Sequence, residues 1–129
     1  MILRQFLHKE PVAISYLFGC GGHAACAVAD PVGDIEPYLR TAEDTGMRIR
    51  FVIDTHLHAD HRSAGPALAA AGAEYVLHRD AEVGFPIHSV TDGDRLPLGN
   101  VVIDVMHTPG HTPEHVCLPI TDRARADEP

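Results

Sequence analysis

The sequence predicts an α/β (α+β) fold. Three observations carry this: short apolar segments rich in β-branched residues, helical spacing in two stretches between them, and a strand, helix, strand unit in the middle of the chain. Residues 2–7 and 12–18 are apolar segments flanking a Lys-Glu-Pro break and read as a pair of strands. Gly19 to Gly22 supplies a turn, and residues 24–29 form a small-residue apolar run that Asp30-Pro31 stops, as suits a buried strand. Asp34 is placed to cap a helix whose inward face is Ile35, Leu39 and Ala42; Pro37 is tolerated in its first turn and Gly46 ends it. Residues 48–54 carry Ile49, Phe51, Val52 and Ile53 and read as a central strand. Gly65-Pro66 opens a short Ala-rich helix that Gly72 closes, and residues 74–77 return as a strand. Asp92-Gly93-Asp94 and residues 97–100 carry turn residues, residues 101–106 form another strand, and residues 115–120 one more. The tail, residues 121–129, is polar and reads as a loop.

Composition narrows the function. With 129 residues and 45% apolar content, the chain suits one compact domain over residues 1–129. Its 18 acidic against 10 basic residues give a formal charge of −8, with no basic stripe, which argues against a nucleic-acid partner. No stretch approaches the ~20 apolar residues of a membrane span, and Arg4, His8, Lys9 and Glu10 interrupt the opening, so the expected location is cytoplasmic, without a membrane partner. Three cysteines without a CxxC pair argue against a disulfide framework; Cys26 and Cys117 are expected as small core residues.

Ten histidines are many for this length, and their arrangement says more than their number. Thr55-His56-Leu57-His58-Ala59-Asp60-His61 offers four metal-capable groups in six residues, directly after the central strand. In extended backbone, His56, His58 and Asp60 share a side, and His61 reaches a second position if the chain turns. Four such groups at a strand end have little packing value and compete for partners unless a cation satisfies them. Imidazole with carboxylate suits Zn, Fe, Mn or Co over Ca, with room for one or two ions. His111 follows about fifty positions later in His107-Thr108-Pro109-Gly110-His111-Thr112-Pro113, a loop stiffened by two prolines. The other histidines, His8, His23, His78, His88, His107 and His115, are expected on surfaces or loops, with His107 and His115 the candidates for a supporting place beside the ligands.

The motifs THLHADH and TPGH, in that order and at that separation, resemble those of the metallo-β-lactamase superfamily. Asp30-Pro31 and Asp92-Gly93-Asp94 fit the same pattern. The opening MILRQF and HTPGHTPEH look closest to persulfide dioxygenase and glyoxalase II-like proteins. The resemblance implies an αβ/βα sandwich, of which this chain supplies chiefly the N-terminal half, incomplete at the C-terminus. It implies that His56, His58 and His111 bind a first metal, that Asp60 and His61 contribute to a second, and that Asp60 is catalytic, orienting a nucleophile or accepting its proton. In the persulfide dioxygenase variant, a single Fe(II) is held by His56, His111 and a carboxylate; the family's bridging aspartate and last histidine lie beyond Pro129. The implied cofactor is Zn or Fe, one or two ions. The implied activity is that of a metal-dependent hydrolase or sulfur dioxygenase on a small-molecule glutathione thioester or persulfide. A partial sandwich would leave an apolar face uncovered, which favours a homodimer or a module completed by another chain.

Overall fold

The computed structural model describes residues 1–10, 12–57, 62–110 and 112–125. A six-stranded sheet runs in spatial order β1 (Ile2–Lys9), β2 (Val12–Cys20), β3 (Ala25–Ala29), β4 (Arg48–Ile53), β5 (Glu74–His78) and β6 (His88–Val90). The first three strands are antiparallel, and β3 to β6 are mutually parallel. Parallel neighbours need crossovers, and α1 (Glu36–Asp44) and α2 (Gly65–Ala70) supply the two that join β3 to β4 and β4 to β5. A second, three-stranded sheet is ordered β11 (Ile120–Asp122), β8 (Val101–Asp104), β7 (Arg95–Leu98), and β9 (Met106–His107) pairs with β10 (Val116–Cys117).

The strands alternate so that each face of the large sheet builds its own core. On the helix side, Leu17, Cys26, Val28, Val52 and Leu77 pack with Tyr38, Ala42 and Leu68. On the other side, Phe18, Ala27, Phe51, Ile53, Val76 and Val90 pack against Leu96, Leu98, Val101 and Ile103 of the small sheet. The register between β3 and β4 shifts at Cys26/Ala27, so that Arg50 is an extra residue. This bulge resets the alternation and sends Ile49 to the helix side and Phe51 to the opposite side.

Asp34, expected as the cap of α1, stands one residue too early: the N-cap is Ile35, without a side-chain cap bond, and Asp34 Oδ1 accepts the Glu36 N–H at 3.0 Å, while Gly46 at φ 70° follows the helix end. Tyr38, absent from the expected inward face, is the most deeply placed residue of α1, at 1% exposure. Its hydroxyl meets Ser15 Oγ at 2.7 Å and accepts the Val32 N–H at 3.1 Å, while His8 Nε2 lies 2.9 Å from Ser15 Oγ. These bonds fasten the β1–β2 hairpin to the helix layer.

The structure corrects the expected boundaries in the second half. Pro97 lies inside β7, opposite Val102, and only Gly99-Asn100 turn the chain. A proline is tolerated there because β7 is an edge strand. The strand expected over residues 101–106 is two, β8 and β9, and the one expected over 115–120 is broken at Leu118-Pro119 into β10 and β11. β6 was not anticipated at all. Cys26 is fully buried as expected, but Cys117, predicted in the core, is exposed on its two-residue strand. Among the described residues, no helix is long and apolar enough to cross a membrane.

Candidate metal centre

Of the five predicted ligands, His56 lies among the described residues; His58, Asp60, His61 and His111 lie outside them. His56 follows the C-terminal end of β4, where the sheet delivers its side chains beyond the last ladder bond. Thr55 is held there from two directions. Its N–H donates to Asp30 Oδ1 and its hydroxyl to Asp30 Oδ2, both at 2.8 Å, and its carbonyl accepts the Val116 N–H at 2.8 Å. Asp30 reaches this position because its own backbone sits at φ 53° after β3, with its N–H on the Ile53 carbonyl at 2.8 Å. The Asp30-Pro31 pair therefore does more than stop a strand.

The consequence for His56 is a fixed tautomer. Thr55 Oγ1 has given its proton to Asp30, so its 3.0 Å contact with His56 Nδ1 requires the imidazole to donate. The lone pair is then on Nε2. A metal-binding imidazole whose other nitrogen donates to an oxygen is the usual way its orientation is set. Leu57, the next residue, packs into the helix-side core. Downstream, the Ala64 N–H binds the Pro31 carbonyl at 2.9 Å and Ser63 bridges Val32, so both flanks of the THLHADH segment are tied to the Asp30 loop.

The second loop arrives beside the first. His115 stacks on His56 with ring centroids 5.3 Å apart and an interplanar angle of 26°. Thr108 Oγ1 lies 2.8 Å from His115 Nδ1, and the Thr108 N–H donates to the His115 carbonyl at 2.9 Å, which closes the loop containing His111. His115, expected on a surface or loop with a supporting place as the alternative, therefore lies beside His56. Behind the site, Asp54 is buried and accepts the Tyr75 hydroxyl. Burial first, and then the Asp54 charge, push the Tyr75 phenol well above its ordinary range, so it remains a donor.

His78 departs from expectation. Predicted on a surface or loop, it is buried at the end of β5, 3% exposed, with its ring against that of His107. Burial, and next the neighbouring His107, hold its pKa below the usual value and favour the neutral imidazole.

These features match those of a known class. The chain belongs to the metallo-β-lactamase superfamily. It is 32% identical, over a 160-residue alignment covering 99% of the chain and 54% of the relative, to a probable metallo-hydrolase of Burkholderia pseudomallei. A hydroxyacylglutathione hydrolase of Rhodospirillum rubrum is 36% identical over 107 residues, 78% of this chain and 40% of the relative. The human mitochondrial persulfide dioxygenase ETHE1 is 27% identical over 129 residues, 98% of this chain and 50% of the relative. In structure, a metallo-β-lactamase of Staphylococcus aureus superposes with a TM-score of 0.91 at 31% identity, over 98% of this chain and 40% of that one. No family model matches the sequence. The chain spans about half the length of the curated relatives it matches.

Proposed function

We propose that this chain is the metal-binding part of a metal-dependent hydrolase or sulfur dioxygenase acting on a glutathione-type thioester or persulfide. In this reading His56, His58 and His111 hold a first ion and Asp60 and His61 serve a second. The observation that carries it is the Asp30, Thr55, His56 relay, which puts the imidazole lone pair on Nε2, as a ligand requires. The order of the two motifs and the names of the relatives support the substrate class. When bound, zinc supplies a Lewis acid and a water with pKa near ~7, whereas iron supplies O₂ chemistry. The chain's own part is to hold the ligands at the strand ends. Asp60 then orients the attacking water or accepts its proton.

Elemental analysis of the anaerobically purified protein, paired with two assays, tests the reading. Iron with O₂ uptake on glutathione persulfide selects the dioxygenase, and zinc with thioester cleavage selects the hydrolase. Metal content unchanged in a His56→Ala, His111→Ala variant sinks both. A second reading, a metal-binding module completed by another chain, is favoured by the apolar side chains that the β1–β2 hairpin leaves exposed, Leu3, Leu7 and Ile14. It expects metal uptake dependent on the same two histidines without turnover by the isolated chain, and turnover matching a full-length relative rejects it.

A further inference from the structure

Beyond the two motifs, a separate trio of side chains converges where β5 ends and β9 begins. His78 closes β5, Asp80 follows in the next turn, and His107 ends β9. One ligand-capable atom from each lies within 4.8 Å of the others. The imidazoles are stacked, with centroids 3.9 Å apart and 15° between planes, and His78 Nδ1 is 3.7 Å from Asp80 Oδ2.

Hydrogen bonding sets the tautomers of both rings. His107 Nε2 lies 2.8 Å from the Pro113 carbonyl, which can only accept, so the proton is on Nε2 and the lone pair on Nδ1. His78 Nδ1 accepts the Asp80 N–H at 3.0 Å, so its lone pair is on Nδ1, the atom beside the Asp80 turn. Asp92 of the Asp92-Gly93-Asp94 turn accepts the His107 N–H at 2.8 Å and fixes the backbone that carries the ring.

An independent observation points to a cation. Glu114, in the same loop as Pro113, is 6% exposed, and its Oε2 has no hydrogen-bond partner. It directly follows Pro113, whose carbonyl holds the His107 ring. A buried carboxylate oxygen without a donor is costly unless a positive charge lies nearby. Asp80 and Glu114 bring two formal negative charges to this end of the sheet, which a divalent ion balances.

We propose that His78, Asp80 and His107 form a second metal site, for a divalent first-row transition ion, with Glu114 as the buried counter-charge. Two nitrogens and a carboxylate oxygen select zinc, cobalt, nickel or copper over calcium or magnesium. Ligation exchanges the Asp80 N–H bond for a metal bond, and the half-exposed Asp80 side chain turns toward the ion. His107 is the ring that moves, because it is partly exposed whereas His78 is not.

The test is Co(II) binding to the full chain, by equilibrium dialysis and visible absorption, in the His56→Ala, His111→Ala background. About one Co(II) per chain is expected to remain, and adding Asp80→Asn with His107→Gln is expected to weaken it about tenfold or more. No bound Co(II) in the first variant, or binding indifferent to the second pair, overturns the site. If the wild type and the first variant bind equal amounts, the motif reading fails while this one stands. Histidine ¹⁵N NMR of the wild-type chain with Zn(II) is the control against misfolding: coordination shifts at Nδ1 of residues 78 and 107 are expected, and their absence rejects the proposal.

Discussion

The central strands β3 to β5 and the β1–β2 hairpin share one sheet and one alternating pattern, yet they differ in what covers them. Phe51 and Ile53 meet the small sheet and are 2% and 1% exposed. On the hairpin, Leu3 stands opposite Phe18 and Leu7 opposite Ile14, so they face the same side. They are nevertheless 50% and 74% exposed, and Ile14 is 47% exposed. The helix side shows no such contrast, because Tyr38 and Ser15 bind the hairpin from there. Alternation therefore decides which face a residue takes, and only a covering layer decides whether that face is dry.

Unfolding energetics give the largest separation between the regions. Phe51→Ala is expected to cost about 3–5 kcal/mol in urea denaturation, whereas Leu7→Ala changes stability by no more than ~0.5 kcal/mol. Equal costs would show that the hairpin face is covered in solution. Tyr38→Phe tests the other side of the hairpin. It leaves Ser15 Oγ and the Val32 N–H short of a buried partner, for a loss of about 1–3 kcal/mol, while Tyr16→Phe on the exposed face is near neutral in the same assay.

At the strand ends the readout is metal affinity. Thr55→Val removes the acceptor that orients His56 and is expected to weaken binding about tenfold or more, measured by competition with a chelator. Ser15→Ala on the hairpin leaves that affinity unchanged. The smallest effect compares two thiols on neighbouring strands. The Asn100 N–H first, and then His23, bring Cys20 down to about 7, whereas burial pushes Cys26 up to about 12. A lowered thiol pKa favours the thiolate above that pH, so alkylation of Cys20 rises as pH passes through ~7 and levels off above it. Cys26 stays unmodified in the folded chain across the same range, and mass spectrometry of digests distinguishes them. A His23→Ala variant moves the Cys20 midpoint upward; an unchanged midpoint refutes the pairing.

Much of this was legible from local pattern. The strands through residue 54, the two crossover helices with their Pro and Gly punctuation, and the position of His56 after β4 all follow from apolar periodicity and turn chemistry. The errors lie where neighbours in space overrule neighbours in sequence. Pro97 reads as a turn until an edge strand accommodates it, and Cys117 reads as core until its strand proves to be two residues long and exposed. His78 had a faint signal, a histidine directly after a strand with an aspartate two residues on, but its burial depends on β9 arriving from thirty positions away.

The sequence by itself determined the order of the elements through β5, the alternation within each strand, and the chemistry available at the strand ends, because these depend on backbone geometry over a few residues; the bulge at Arg50 that resets the alternation, and β6, it did not show. Tertiary structure alone decided that Asp30 orients His56 through Thr55, that His115 lies on His56, and that His78 meets His107. Each of those pairs except the last step of the Thr55–His56 relay joins segments distant along the chain, and their meeting is fixed by how the sheet and its crossovers close, which no local pattern encodes.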